Sequence, residues 1–468
     1  MSVSDDLSFC LLKSLKNSLK MLNHIIFTPS DTSRVGTAPG NASQRPQDLK
    51  PGIPYRVNST ARDILDVMQY FANQHKQPHQ DFPYPAGGIG FLSFEFSRFC
   101  DTIPLGDKPD PLGLPDALFL FGHVFIIFDH YTDLLYLIGL NYREKSIDLE
   151  KALHDLEQSI NSLDFSYLQD DETTFPVENV TDPGVDQQYL DFVESMRKQV
   201  ILGNLLQGVP SRRLQFKTEL PALEAYRRLR RTNPSPYLFY LNFGDFELFG
   251  ASPEVHTKVK EGRALVRPIA GTRRRSSDKH KDLALEQELL SDPKERAEHL
   301  MLVDLGRNDL GRVCKPGSVQ VTEYMIIERY SHVMHIVSQV EGDVVDGKTG
   351  PDVLRATFPA GTVSGAPKIQ AIKTIDTLET VQRRFYAGVV GYLEPGGNLD
   401  TCITIRSAIK KNGILTLQAG GGIVFDSNPG RELEETNEKL GAMLRSIGVD
   451  LASLETSPLK PQSNEVNQ

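Results

Sequence analysis

Apolar positions recur along this chain at two periods. Runs rich in branched and aromatic side chains, Gly88 to Phe94, Ala117 to Phe121, Val124 to Phe128 and Ile414 to Leu417, predict strands. Tyr189 to Leu202 repeats its apolar residues at the helical period and predicts an amphipathic helix. A second helix is predicted to start at Asp292, with Pro293 in its first turn, and to run through Leu300, Met301, Leu302, Val303 and Leu305. Those five residues cover every direction around the axis, which predicts a helix buried on all sides. A third helix is predicted from Pro429 to Leu444. Strands and helices follow one another without a regular βαβ repeat, so the fold class expected is α+β. Residues 28–58, rich in Thr, Ser, Pro, Gly and Gln, read as a loop; 169–186 read as a linker; 453–468 read as a disordered tail.

The last two helices carry the chemistry. Each holds two glutamates three residues apart, Glu295 with Glu298 and Glu432 with Glu435, and that spacing places both carboxylates of a pair on one face. Carboxylates on a buried helix need a partner or a metal. Four of them suggest a hard cation of the magnesium type, which prefers oxygen ligands. Plainer roles compete: Asp292 and Glu295 have capping-box spacing, and Glu435 with Lys439 has the spacing of a solvated helical ion pair.

The context extends the picture. Gly420, Gly421 and Gly422 follow a predicted strand, where glycine lets backbone amides approach an anion. Upstream lie Pro268-Ile269-Ala270-Gly271-Thr272-Arg273, Tyr330-Ser331-His332-Val333-Met334-His335, Phe358-Pro359-Ala360-Gly361-Thr362 running on to Lys368, and Ile403-Thr404-Ile405-Arg406. Together, over residues 185–450, these segments resemble the chorismate-utilising enzymes, and within them the anthranilate synthase large subunits. The resemblance implies a large β-sandwich flanked by helices, with a catalytic domain at 187–452 and a regulatory-like region at 1–168. It implies Mg2+ on Glu298 and Glu435, supported by Glu295 and Glu432. Tyr386, Arg406 and the amides of Gly420 to Gly422 would hold the enolpyruvyl carboxylate. Glu254 matches a general acid, which needs a raised pKa, and His335 a histidine of the pyruvate-loss step. Thr362, Lys439 and the Ala270-Gly271-Thr272 segment match further substrate-site positions. Taken alone, Glu254 after Pro253 reads as a turn residue, His335 as a core histidine, and Arg406, out of phase with Ile403 and Ile405, as a strand residue facing away from the core.

Two positions separate members of the family. Gln207 stands where the resemblance places a lysine base in water-using members; a neutral amide cannot activate water, whereas ammonia is already nucleophilic. Ala270 stands where many aminodeoxychorismate synthases carry lysine. The expected activity is therefore an anthranilate synthase, with an aminodeoxychorismate synthase or a non-catalytic chorismate-binding homologue as alternatives. Asn204, Arg212 and Gly421 replace a usual aspartate, glutamine and alanine. Ammonia would come from a separate glutamine amidotransferase subunit, since no glutaminase signature is present. The family binds tryptophan as an effector through two segments. Asn233-Pro234-Ser235-Pro236-Tyr237-Leu238 matches one well; Leu11-Leu12-Lys13-Ser14 matches the other only with Lys13 in place of glutamate. A cation facing the ligand's ammonium predicts weakened inhibition.

Composition removes other classes. At 468 residues the chain has room for two or three domains. A net charge of −10 and a pI near 5.6 argue against nucleic acid and anionic membranes as partners. The Arg227-to-Arg231 cluster reads as a solvated helix face. Four scattered cysteines form no disulfide framework, which suggests a reducing compartment such as the cytoplasm. No apolar stretch reaches membrane-spanning length, and the first residues lack a signal-peptide pattern.

Overall fold

The computed structural model describes residues 23–27, 63–75, 83–142, 147–162, 174–330 and 333–450. Ser14, the 28–58 segment and the 453–468 tail lie outside the described residues. The chain forms two compact units, one from residues 1–173 with 254–404 and the other from 174–253 with 405–468. The segment 187–452 contributes to both units. Within 169–186, Val177–Asn179 is a strand paired with Ser211–Thr218.

The first unit is built on an antiparallel sheet. Its strands run in the order Asn23–Phe27, Ala117–Phe121, Ile89–Leu92, Val389–Leu393, Leu399–Ile403, Val255–Lys260, Arg263–Val266, Val333–Asp343 and Ile269–Arg274, with Gln320–Arg329 also paired to Val333–Asp343. Val389 sits opposite Leu92, so residues early in the chain extend a sheet otherwise made from its second half. The α+β expectation holds, and every strand pair described within the two main sheets is antiparallel.

Helix Pro293–Gly311 packs against this sheet. Asp292 caps it by accepting from the amides of Lys294 (2.9 Å) and Glu295 (3.3 Å), and Pro293 occupies the first turn, where no amide donor is needed. The expectation of all-round burial is corrected. The inward face consists of His299, Leu302, Val303, Gly306, Asp309 and Leu310, whereas Leu300 is 46% exposed and Asp304 pairs with Arg307 in solvent. Gly306 decides this orientation, because a Cβ there would lie 2.9 Å from Val266 Cγ2. Burying Leu302, Val303 and Leu310 contributes about 1.5–3 kcal/mol each.

The second unit has its own antiparallel sheet, ordered Val177–Asn179, Ser211–Thr218, Ile414–Gly420, Ser407–Lys411, Glu247–Ser252 and Tyr237–Asn242. Leu214, Phe216, Phe249, Leu415 and Leu417 form a core with Leu229 of helix Ala222–Thr232 and with Leu440, Met443 and Leu444 of helix Pro429–Ser446. Helix Val185–Ile201 buries Tyr189, Val193 and Met196, in agreement with its predicted period. Arg227 and Arg228 pair with Glu224 with side chains only 16% and 27% exposed, so this part of the cluster is half-buried rather than a solvated face, and Leu229 within it is buried.

Candidate active site

In the first unit, strands Ile269–Arg274 and Val333–Asp343 change register between Ala270 and Thr272. Gly271 fills this irregularity with φ +67°, a conformation glycine adopts without a steric penalty. The result turns the Gly271 carbonyl toward His335, whose Nδ1 lies 3.1 Å from that oxygen and 3.0 Å from Thr272 Oγ1. A carbonyl can only accept, so Nδ1 carries the proton and Nε2 is the basic nitrogen. The Tyr330 ring meets the imidazole edge-on, with centroids 5.6 Å apart. Glu295 reaches the same bend: a Cβ on Gly271 would lie 3.1 Å from its Oε2. Its carboxylate accepts from Arg273 (2.9 Å), which also holds Asp292 at 3.1 Å. Only the Asp292 half of the expected capping box forms, because Arg273 gives Glu295 a charged partner. Glu298 stands one turn further along the same helix. Gly271→Ala is expected to destabilise the protein by about 1–3 kcal/mol, read by urea denaturation, since the left-handed backbone and the Glu295 contact both oppose a side chain. An unchanged denaturation midpoint would refute this account of the bend.

Glu254 joins strands Glu247–Ser252 and Val255–Lys260 and is 6% exposed, more enclosed than a turn residue would be. Its side chain borders a cavity of about 40 Å3, space for a few waters, also lined by Thr362, His256, Arg267, Asp309 and Thr357. Thr362 Oγ1 is buried with no protein hydrogen-bond partner. Lys368 Nζ binds two of the lining residues, the Asp309 carboxylate (2.6 Å) and the Thr357 carbonyl (2.9 Å). Burial, with the Lys368 charge adding to it, pushes His256 down to about 3, so this imidazole stays neutral. Arg267 binds Glu328 (2.6 Å), which accepts from the Tyr330 hydroxyl (2.7 Å). Burial first, then the Glu328 and Glu254 carboxylates, keep that phenol protonated. Tyr330 therefore links the surroundings of Glu254 to those of His335.

Tyr386 is buried on a loop leading into strand Val389–Leu393, flanked by Arg384 (φ +59°) and Ala387 (φ +62°). The backbone amides of Arg383 (2.8 Å) and Arg384 (3.0 Å) donate to Glu95, which fixes the loop. The buried Arg383 guanidinium, paired with Glu379 at 2.6 Å, sits 5.6 Å from the Tyr386 ring centre.

The remaining candidate residues belong to the second unit. Gly420 ends strand Ile414–Gly420, and Gly421 lies against helix Pro429–Ser446: a Cβ on it would be 3.0 Å from Glu432 Oε2 and 3.0 Å from the Tyr189 hydroxyl. The glycine here serves close packing. Lys439 Nζ donates to the Gly420 carbonyl (2.8 Å) and pairs with Glu435 (2.5 Å). The helical ion pair read from the sequence thus forms, and it is joined to the glycine loop. Burial pushes the Glu435 carboxyl up, but Lys439 and the Arg406 guanidinium outweigh it and hold the group below its usual range. A depressed carboxyl adds stability above its unfolded pKa and loses it as pH falls through the folded value; Glu435, 46% exposed on its side chain, is ionised at neutral pH. Arg406 is not a strand residue. It occupies a left-handed turn (φ +51°) before Ser407–Lys411, and its carbonyl accepts from Ala251 (3.0 Å). Such a conformation in a long side chain is uncommon and marks a site where strain is tolerated. Gln207 is buried in Gln207–Gly208, and Gly208 exchanges hydrogen bonds with Ile423 beside the glycine loop. Tyr237 and Leu238 open the edge strand Tyr237–Asn242, directly after Pro236.

Among the described residues, no three His, Cys, Asp or Glu side chains form a metal-holding cluster. Carboxylates are the ligand type that Mg2+ takes, and each unit contributes two of them, Glu295 with Glu298 in the first and Glu432 with Glu435 in the second.

A model of chorismate binding enzymes matches residues 36–445. The chain belongs to the chorismate-binding enzyme family. This family member is 65% identical over 405 residues to anthranilate synthase component 1 of Spirochaeta aurantia, an alignment covering 86% of this chain and 84% of the relative. It is 44% identical over 383 residues to the Pseudomonas aeruginosa protein of the same name, covering 80% and 77%. The crystal structure of anthranilate synthase component I from Streptococcus pneumoniae superposes with a TM-score of 0.73 at 38% identity, over 81% of this chain and 85% of that one. Among the described residues of this chorismate-binding enzyme, no helix is long and apolar enough to cross a membrane.

Proposed function

We propose that this chain is the chorismate-aminating subunit of an anthranilate synthase, converting chorismate and ammonia to anthranilate, pyruvate and water. The identity with the Spirochaeta aurantia protein carries this reading, and Gln207, a buried neutral amide where water-using relatives are expected to hold a base, supports it. In the first step ammonia bonds to the ring as the 4-hydroxyl departs. Glu254 donates the proton with which that hydroxyl leaves as water, and the unpartnered Thr362 Oγ1 on the same cavity supports a substrate-binding role for it. In the second step the ring carbon bearing the amino group loses its proton, the ring C–O bond to the enolpyruvyl group breaks, the ring becomes aromatic, and the released enolate takes up a proton at its methylene carbon to become pyruvate. His335 takes that proton through Nε2, the nitrogen its Gly271 bond leaves basic. Tyr386, Arg406 and the amides of Gly420, Gly421 and Gly422 hold the enolpyruvyl carboxylate, an anion that a planar guanidinium binds in two-pronged fashion. Lys439 orders the glycine loop through the Gly420 carbonyl. Glu298 and Glu435, with Glu295 and Glu432 in support, would hold Mg2+, which would supply positive charge at the ring carboxylate.

Ammonia comes from a separate glutamine amidotransferase subunit. Tryptophan acts at Pro236, Tyr237 and Leu238 with Ser14, and Lys13 weakens its inhibition. The decisive test incubates the purified chain with chorismate, Mg2+ and ammonium while anthranilate fluorescence and pyruvate are followed. Both products are expected, and both should vanish with a chelator. A non-aromatic amino product without pyruvate would overturn the assignment in favour of an aminodeoxychorismate synthase.

A further inference from the structure

We infer that Arg212 is the positioning residue that seats the carboxylate-bearing half of helix Pro429–Ser446, and thereby sets the affinity of the metal site. This rests on the metal reading proposed above. Arg212 stands on strand Ser211–Thr218 directly opposite Ala419, next to the glycine loop. Its side chain is 3% exposed. The guanidinium donates to Thr436 Oγ1 (2.7 Å) and to Asn437 Oδ1, and it pairs with Asp186 of helix Val185–Ile201. Thr436 and Asn437 directly follow Glu435 and lie one turn beyond Glu432.

The packing of the helix explains why these contacts matter for the glutamates. Its buried residues are Glu432, Thr436, Leu440, Gly441, Met443, Leu444 and Ser446. Apolar seating therefore begins at Leu440. Over the turns that hold Glu432 and Glu435, the fully buried positions, Glu432 and Thr436, are polar, and the one leucine there, Leu433, is only half-buried. The helix face there is set by hydrogen bonds: Arg212 on Thr436 and Asn437, and Lys439 on Gly420. Arg212 is suited to this because its planar fork addresses two acceptors on adjacent residues and a carboxylate on a second helix at once. Its buried charge is compensated by Asp186, so the arrangement is a satisfied polar network rather than an isolated buried cation. Glutamine at this position would be too short to span Thr436, Asn437 and Asp186 together.

The test is a titration of the purified chain with Mn2+, a spectroscopic stand-in for Mg2+, reading free Mn2+ by electron paramagnetic resonance without ammonia, with and without chorismate. The wild type is expected to bind one Mn2+. Arg212→Gln, and the milder Asn437→Ala, are each expected to weaken binding about tenfold, the size typical for partners that orient metal ligands. In turnover, the Mg2+ concentration for half-maximal rate should rise by about the same factor, while kcat at saturating Mg2+ stays within about threefold. Arg212→Lys, which keeps the charge but not the fork, should fall between. If Arg212→Gln does not fold, Asn437→Ala carries the test. Unaltered Mn2+ affinity in a folded Arg212→Gln or in Asn437→Ala, beside a wild type that binds, overturns this inference alone. A wild type that binds no Mn2+ under either condition overturns the metal reading, and the role of Arg212 with it.

Discussion

Glu254→Gln is expected to lower the rate of chorismate amination by a factor on the order of 10²–10⁴, the usual contribution of a positioned general acid. Glutamine is nearly isosteric with glutamate, so the cavity shared with Thr362 and His256 keeps its shape. The backbone bond from Ile403 to the Glu254 carbonyl (3.1 Å) does not involve the side chain and should persist. What the amide lacks is an acidic proton to give to the departing hydroxyl. Chorismate binding, measured by calorimetry without ammonia, should change by less than about threefold, which would place the loss in the chemical step rather than in the ground state. A variant that folds normally and still turns over within tenfold of the wild type would remove Glu254 from the mechanism.

Features of the site that depend on near neighbours in the chain are legible in the residues alone. Asp292 and Pro293, and likewise Asn428 and Pro429, start the two glutamate helices because a capping side chain acts on amides two or three residues away. The Glu435–Lys439 pair forms as its spacing predicts. Its plain reading and its functional reading are not exclusive, since the same lysine reaches the Gly420 carbonyl. What the pattern conceals depends on partners distant in sequence. Glu295 bonds an arginine from another element rather than its own helix start. The burial of helix Pro293–Gly311 depends on Gly306 meeting Val266, which no count of leucines reveals. Arg406 looks like a strand residue until Ser407–Lys411 pairs with Glu247–Ser252 and leaves it in the turn. The pairing of Ile89–Leu92 with Val389–Leu393 crosses most of the chain. Arg267, His256 and Glu95 carry no motif that could rank them, and Tyr330 enters only as the start of the segment that ends at His335; their roles come from being buried or paired next to residues that do.

His335→Asn is expected to separate the two half reactions. The argument starts from the tautomer: Gly271 turns its carbonyl to Nδ1 because its own φ is +67°, and the bond at 3.1 Å requires a proton there. An asparagine side chain carries an amide nitrogen at the same branch point. It can donate to the Gly271 carbonyl and keep the register irregularity between Ile269–Arg274 and Val333–Asp343, so the fold and the Glu254 cavity should survive. It offers nothing in place of Nε2, the nitrogen assigned to remove the ring proton. Loss of a general base costs a factor on the order of 10²–10⁴, and here the loss should fall on pyruvate release alone. Chorismate consumption should continue, with a non-aromatic amino compound accumulating on chromatography while anthranilate fluorescence and pyruvate stay near background. The two activities falling together would show that His335 serves the site as a whole, through Thr272 and Tyr330, and not the elimination step. Pyruvate release that persists at the wild-type rate would instead place the base elsewhere.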